Sequence, residues 1–259
     1  MADRGVSRRR PGAFYILLIC VMASVLSACA AFKGNPDEAR FVRTVAVLPV
    51  YNATNDVDGP QMVREQAIER MRKARYRNLP LADVDRILAD RMGITLGAQL
   101  DLTTPQAIGA ELGVDYLLYG YLLDFNTITT GVYNVNKVRA GFKLVDVKTG
   151  AVVWSRAAGV KSEIHSAGEI GAGIAALSQV TDRSDDEISS AIPGLAGVPG
   201  LSDWKTSYSH HEKSVGNAAL FSLGEQLVTQ AFGVHLYFES SEMLDRIMSD
   251  FPRGEMTGG

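Results

Sequence analysis

Apolar residues dominate the chain from Ala13 to Ala28, behind a segment carrying Arg4, Arg8, Arg9 and Arg10. Basic segment, apolar run and the small-residue end Leu26-Ser27-Ala28 stand in the order of an export signal. The run falls short of the ~20 residues a bilayer-spanning helix needs, which predicts a cleaved signal over residues 1–28. Ala31 to Arg40 (AFKGNPDEAR) is polar and broken by Gly34 and Pro36, which predicts a tether over residues 29–41. The pattern then changes. Thr44-Val45-Ala46-Val47-Leu48-Pro49-Val50 is a nearly continuous apolar, β-branched run, as in a strand buried on both faces.

After a turn-rich loop, Gly59-Pro60 opens a helix with Met62, Val63, Ala67, Ile68, Met71 and Ala74 at helical spacing. Arg77 to Leu81 predicts a short strand and Ala82 to Met92 a second helix ending at Gly93. Thr104 caps a third helix that closes at Gly113. The period then shortens. Val114 to Phe125, Val138 to Val147 and Ala151 to Lys161 read as strands, the last two joined by the turn Asp146 to Gly150, with Trp154 in the core. Ser162 to His211 has no clear period and reads as an irregular insertion. A helix from about Glu212 to Phe232 follows, with Val215, Ala218, Ala219, Leu223, Leu227, Val228 and Ala231 as its stripe. Val234 to Phe238 reads as a short strand, Met243, Ile247 and Met248 as a helix, and Arg253 to Gly259 as a disordered tail.

The fold class is therefore α/β (α+β): a single layered domain with a mixed sheet of about five strands, ending in an antiparallel meander and packed with helices. The folded domain is expected over residues 42–238, including the insertion 162–211, with residues 239–259 holding the C-terminal helix and tail. Composition changes this picture little. Removing the signal leaves ~230 residues, enough for a substantial core. The net charge of -3 includes the basic signal, so the mature chain is more acidic still and points away from nucleic acid. Of the two cysteines, Cys20 leaves with the signal and only Cys29 remains, so no intrachain disulfide forms.

Cys29 directly follows Leu26, Ser27 and Ala28, and the four together resemble the lipobox of bacterial lipoproteins. That resemblance implies diacylglycerol on the Cys29 thiol, cleavage before Cys29 and acylation of the new amino group, palmitate being a typical chain. Two or three acyl chains give the stable attachment that one chain does not. Ala30 stands where an inner-membrane-retained lipoprotein carries aspartate, which implies the periplasmic face of the outer membrane. Further along, RTVAVLPVYNAT, LADVDRIL, GVDYLLYGYL and KLVDVKTGAVVWS resemble the genome-derived-antigen family of bacterial lipoproteins. More distantly they resemble the periplasmic domain of the curli-secretion lipoprotein CsgG and the amino-terminal domain of TolB. The resemblance covers roughly Val42 to Ser162 and implies a TolB-like domain used for protein contact in envelope assembly. The chain departs from the secretion channel, because Asn126 to Lys137 is too short to cross a membrane twice at ~9–11 residues per strand.

Candidate chemistry is sparse. Thr54, Asp56, Asp58, Gly59 and Glu65 fall at EF-hand-like offsets, but Thr54 is neither carboxylate nor amide and a strand precedes the loop, so a helix-capping loop is the better reading. Gly168, Gly171 and Gly173 do not keep G-x-G-x-x-G order. His210-His211-Glu212 lacks a third ligand at metal spacing, and nothing marks a nucleophile. Tyr116, Tyr119, Tyr121 and Phe125 read as packed core. The sequence thus calls for no enzyme, cofactor or metal. It calls for an outer-membrane lipoprotein held through Cys29 that docks an envelope protein, with self-association left open. A small-ligand-binding lipoprotein is the alternative, and an envelope hydrolase the more remote one.

Overall fold

The first strand, β1 (Thr44–Val47), is a run with Val45, Ala46 and Val47 all buried, and it lies between two parallel neighbours. In this computed structural model, which describes residues 42–129, 133–166, 183–211 and 236–255, the sheet runs β3-β1-β4-β5-β6-β7. A two-residue strand β2 (Tyr51–Asn52) also pairs with β4. All described residues fall in the unit Arg40–Gly259. Helix α1 (Gly59–Lys73) carries the chain from β2 to the edge strand β3 (Arg77–Asn78). Helix α2 (Leu81–Ile87) continues as a π-turn over Leu88–Met92, and a 3-10 turn spans Gly97–Leu102. Helix α3 (Pro105–Leu112) then leads to β4; the Thr104 hydroxyl accepts from Ala107 N and Gly113 closes the helix in the left-handed conformation. Three long strands form an antiparallel meander: β4 (Tyr116–Thr129), β5 (Tyr133–Asp146) and β6 (Val152–Ser166).

The two faces of the sheet bury separate cores. On one, Val63, Ala67 and Met71 of α1 and Met243, Leu244 and Ile247 of α5 (Tyr237–Ile247) pack on Val45, Leu118, Phe142 and Leu144. On the other, Val84, Leu88, Ile108 and Leu112 cover Ala46, Leu117, Tyr119 and Leu123. A β-bulge between Leu122 and Asp124 switches the alternation, so Tyr119 and Tyr121 face the second core and Phe125 the first. The imperfect alternation of this aromatic cluster has that cause.

The expected α/β class is the observed one, with corrections in detail. Among the described residues the sheet has seven strands, and beyond the antiparallel meander it gains β7 (Trp204–His211), which runs parallel to β6. The stretch read as an irregular insertion is, over residues 183–203, core structure. It forms α4 (Asp185–Ala191) and a 3-10 turn (Pro193–Leu195), and sets Ile188, Ile192, Leu195, Val198 and Leu201 into the second core. Tyr237 and Phe238 open α5 instead of closing a strand. Arg253 to Glu255 are ordered, because Gly254 N donates to Ala74 O at 2.8 Å and Glu255 O accepts from Val42 N at 3.1 Å. The signal and tether, the glycines 168, 171 and 173 and the helix expected from Glu212 lie outside the described residues.

Trp154 is half-buried rather than central. Its ring stands edge-on to Phe251 with centroids 4.6 Å apart, and Nε1 donates to Asp250 at 3.2 Å. Trp154→Ala is therefore expected to lose about 2 kcal/mol by urea denaturation, below the ~3–5 kcal/mol of a fully enclosed ring.

Candidate functional site

Beyond β2, the bulge within β4 and the loop that follows β2 form a cleft of 460 Å³ lined by Thr54, Asn55, Asp56, Asp124, Asn126 and Arg183, among others. The loop is built by its own polar side chains. Asn52 Oδ1 accepts from Thr54 N (3.0 Å) and from the Thr54 hydroxyl (2.7 Å), and Asn52 Nδ2 donates to Asp56 O at 2.7 Å. Asp56 Oδ1 accepts from Asp58 N at 3.0 Å and Gly59 N at 2.6 Å, satisfying donors where α1 begins. The calcium-like spacing is thus a helix-capping loop. Gly59 is needed there because a Cβ would press on the Phe125 ring at 2.9 Å. Across the cleft, Arg183 Nη2 donates to Leu123 O at 3.1 Å.

Beneath the cleft lies a buried group of charges that the sequence reading missed. Arg139, 1% exposed, donates from Nε to Asp124 Oδ2 at 2.6 Å and from Nη1 to Leu201 O at 3.1 Å. Its guanidinium lies 4.8 Å from the Trp204 ring centre, and the Nζ atoms of Lys161 and Lys137 lie 4.4 and 5.7 Å from the same ring. Lys137, Lys161 and Glu163 are also buried. The indole reaches them because it lies flat over Gly159, where any Cβ would overlap the ring. Buried cations packed against the half-buried indole gain cation–π attraction as well as packing. Gly159→Val is expected to expel the indole and cost about 2–4 kcal/mol by overpacking, read as a lower melting temperature with altered tryptophan fluorescence.

Farther along the same face, Lys143 Nζ donates to Gly194 O at 3.2 Å and sits 5.0 and 5.3 Å from the rings of Tyr119 and Tyr121. Burial lowers the Lys143 pKa and raises those of Tyr119 and Tyr121; in the other core it pushes Tyr76 up to about 12. An unfolded tyrosine releases its proton near pH ~10. Above that pH the folded chain binds more protons than the unfolded chain, so stability falls as pH rises. The Tyr76 contribution should be complete below pH ~10 and fade as pH rises through about 12. Urea midpoints taken across that window should fall, and Tyr76→Phe should make the fall shallower.

The residues singled out from sequence do not converge. Leu26, Ser27, Ala28 and Cys29 lie outside the described residues. His210 and His211 belong to β7, while Glu212 lies outside the described residues. Among the described residues no three His, Cys, Asp or Glu side chains gather as a metal site, and no helix is long and apolar enough to cross a membrane.

Comparison with known proteins adds the family. The profile described as "Putative lipoprotein GNA1162-like" matches residues 37–204. The chain belongs to that family. A relative from Neisseria meningitidis serogroup B, described as "Putative lipoprotein NMB1124/NMB1162", is 28% identical over 180 residues, 64% of this chain and 83% of its own length. The crystal structure of lipoprotein GNA1162 from Neisseria meningitidis is similar over 53% of this chain and 95% of its own, at 23% identity and a TM-score of 0.44. The LpoB C-terminal domain of Escherichia coli is similar over 52% of this chain and 90% of its own, at 18% identity and a TM-score of 0.33. The GNA1162-like family is the genome-derived-antigen family whose resemblance the sequence carries.

Proposed function

We propose that this member of the GNA1162-like lipoprotein family is anchored by lipid on Cys29 to the periplasmic face of the outer membrane. There it acts as a non-catalytic docking module for another envelope protein. The observation that carries the docking role is the state of the polar groups at the cleft. Asp56 accepts from the N–H groups at the start of α1, Asp124 is held by the buried Arg139, and Arg183 is tied to the β4 backbone. Side chains fixed in this way make a rigid recognition surface and are poorly suited to passing protons to a substrate. Exposed Val57 and Ile128 on the flanking segments add apolar contact area. The lipobox-like Leu26-Ser27-Ala28-Cys29 and family membership support the anchor. The volume of the cleft favours a second reading, a small polar ligand of the periplasm.

Two experiments test these readings. Cys29→Ala should abolish incorporation of labelled fatty acid, since the thiol carries the diacylglycerol; continued labelling would refute the anchor. A photo-crosslinking residue at Asn55 or Asn126 of the intact lipoprotein should yield one discrete protein adduct in cells, and the same residue at Arg86 should not. Equal adducts from all three positions, or none, would remove the cleft as the docking surface.

A further inference from the structure

The end of the domain where the described chain begins carries a concentration of cations that the acidic composition does not suggest. Helix α1 ends in Arg72-Lys73, and Arg75 and Arg77 follow within the next four residues. Arg75 adopts a left-handed φ of 68°, which turns the chain out of α1 and into β3. Arg77 N donates to Arg43 O at 3.0 Å, which sets these positions beside the start of β1. The C-terminal segment comes to the same place. Gly254 N bonds Ala74 O, and Arg253 shares with Lys73, Ser249, Phe251 and the Arg70–Asp245 ion pair a depression of 230 Å³, room for a phosphate group. The Asp146–Gly150 turn adds Lys148, because β4 begins at Tyr116 opposite Asp146.

Carboxylates at this end already have partners. Glu255 pairs with Arg43 at 3.7 Å and Glu69 with Arg72 at 3.0 Å. Asp245 is held by Arg70, and Asp146 accepts from Thr149 N and its hydroxyl. Exposed apolar side chains lie among the cations: Val42 at 44%, Val152 at 54% and Val153 at 50% exposure. Cations interspersed with a few exposed apolar groups suit the boundary between lipid headgroups and acyl chains. The far end is of opposite character. Asp56 and Asp124 line the cleft, Asp58 follows in the same loop, and Asp185, Asp186 and Glu187 come shortly after its Arg183.

We infer that this basic end is a membrane-contact surface that binds the phosphate groups of anionic lipids. It thereby holds the domain upright on the bilayer, with the cleft turned away. The inference rests on the anchored reading above. The interval from Cys29 to Val42 extends at most ~45 Å and averages ~20 Å if flexible, so an anchor on Cys29 keeps the basic end within reach of headgroups. Each cation near an anionic surface adds attraction that salt screens.

The test uses the mature chain from residue 29 with Cys29→Ser, so that no acyl chain contributes. It should sediment with vesicles containing phosphatidylglycerol, not with phosphatidylcholine alone, and high salt should release it. Lys73→Gln with Arg75→Gln should weaken binding about thirtyfold, and adding Arg77→Gln and Arg253→Gln about a thousandfold. Arg86→Gln with Lys205→Gln, the same charge change elsewhere, should leave binding unchanged. Melting curves establish that every variant is folded. No preference for phosphatidylglycerol in the parent, or an equal loss in the Arg86/Lys205 variant, overturns the inference. Release by inorganic phosphate at matched ionic strength would overturn it too, assigning the cations to a soluble anion. Fatty-acid labelling of Cys29 is read separately, so failure of the anchor and failure of this surface are distinguishable.

Discussion

Replacement of residues 183–203 by a short Gly/Ser linker is expected to unfold the domain. The segment sets five apolar side chains, Ile188, Ile192, Leu195, Val198 and Leu201, into the core beneath α2 and α3, each no more than 6% exposed. It also supplies the Leu201 carbonyl to Arg139 and the Gly194 carbonyl to Lys143. Ala157 N donates to Pro199 O and Gly159 N to Asp203 O, each at 2.8 Å, so the edge of β6 loses partners as well. Removing one large buried aliphatic side chain costs about 2–5 kcal/mol, and a whole domain commands only about 5–15 kcal/mol. Loss of the set exceeds that margin. Circular dichroism and urea titration of the linker variant should show no cooperative transition. A well-folded variant would mean that β4, β5 and the helices close the second core unaided.

Arg139→Ala is expected to be the most damaging single substitution on the same face, at about 3–5 kcal/mol by urea denaturation. The guanidinium joins Asp124, the Leu201 carbonyl and the Trp204 ring, and its removal leaves a buried carbonyl without a donor and a void under the indole. Asp124 is half-buried and can take solvent as a partner, so Asp124→Asn should cost less, about 1–2 kcal/mol. Arg139→Met should fall between these, because it keeps much of the stem volume but none of the donors. Equal losses for Arg139→Met and Arg139→Ala would show that the hydrogen bonds matter and the packing does not.

What could be read from the residues was whatever carried a period. TVAV, the helical spacing of Val63, Ala67 and Met71, and the KTG turn each signal their structure within a few positions, and each lies where expected. Over residues 183–203 the apolar spacing is masked by helix-breaking residues. Ile188, Ile192, Leu195, Val198 and Leu201 are interrupted by Pro193, Gly194, Gly197, Pro199 and Gly200, and only the sheet beneath makes them core. The site was hidden differently. Lys137 and Arg139 alternate with Val138 and Ala140, and Lys161 and Glu163 follow Val160, a pattern that ordinarily marks a solvated strand face. Here Trp204, 41 residues beyond Glu163, folds back over Gly159 and buries that face. A lone tryptophan after a Gly/Pro-rich run gives no local hint of where it will lie.

The placement of β1 also decides how the domain responds to mechanical load. The strand is clamped on both sides by parallel ladders, Thr44 and Val45 to β3 and Val45 to Val47 to β4, and Thr44 N and its hydroxyl bind Asp115 at 2.7 and 2.8 Å. A pull entering at Val42 runs along the strand axis, so these bonds are loaded together in shear and are not peeled one after another. The first link to yield would be Val42 N to Glu255 O, which lies outside the ladder. Pulled from Val42, the chain would shed its C-terminal end before its sheet.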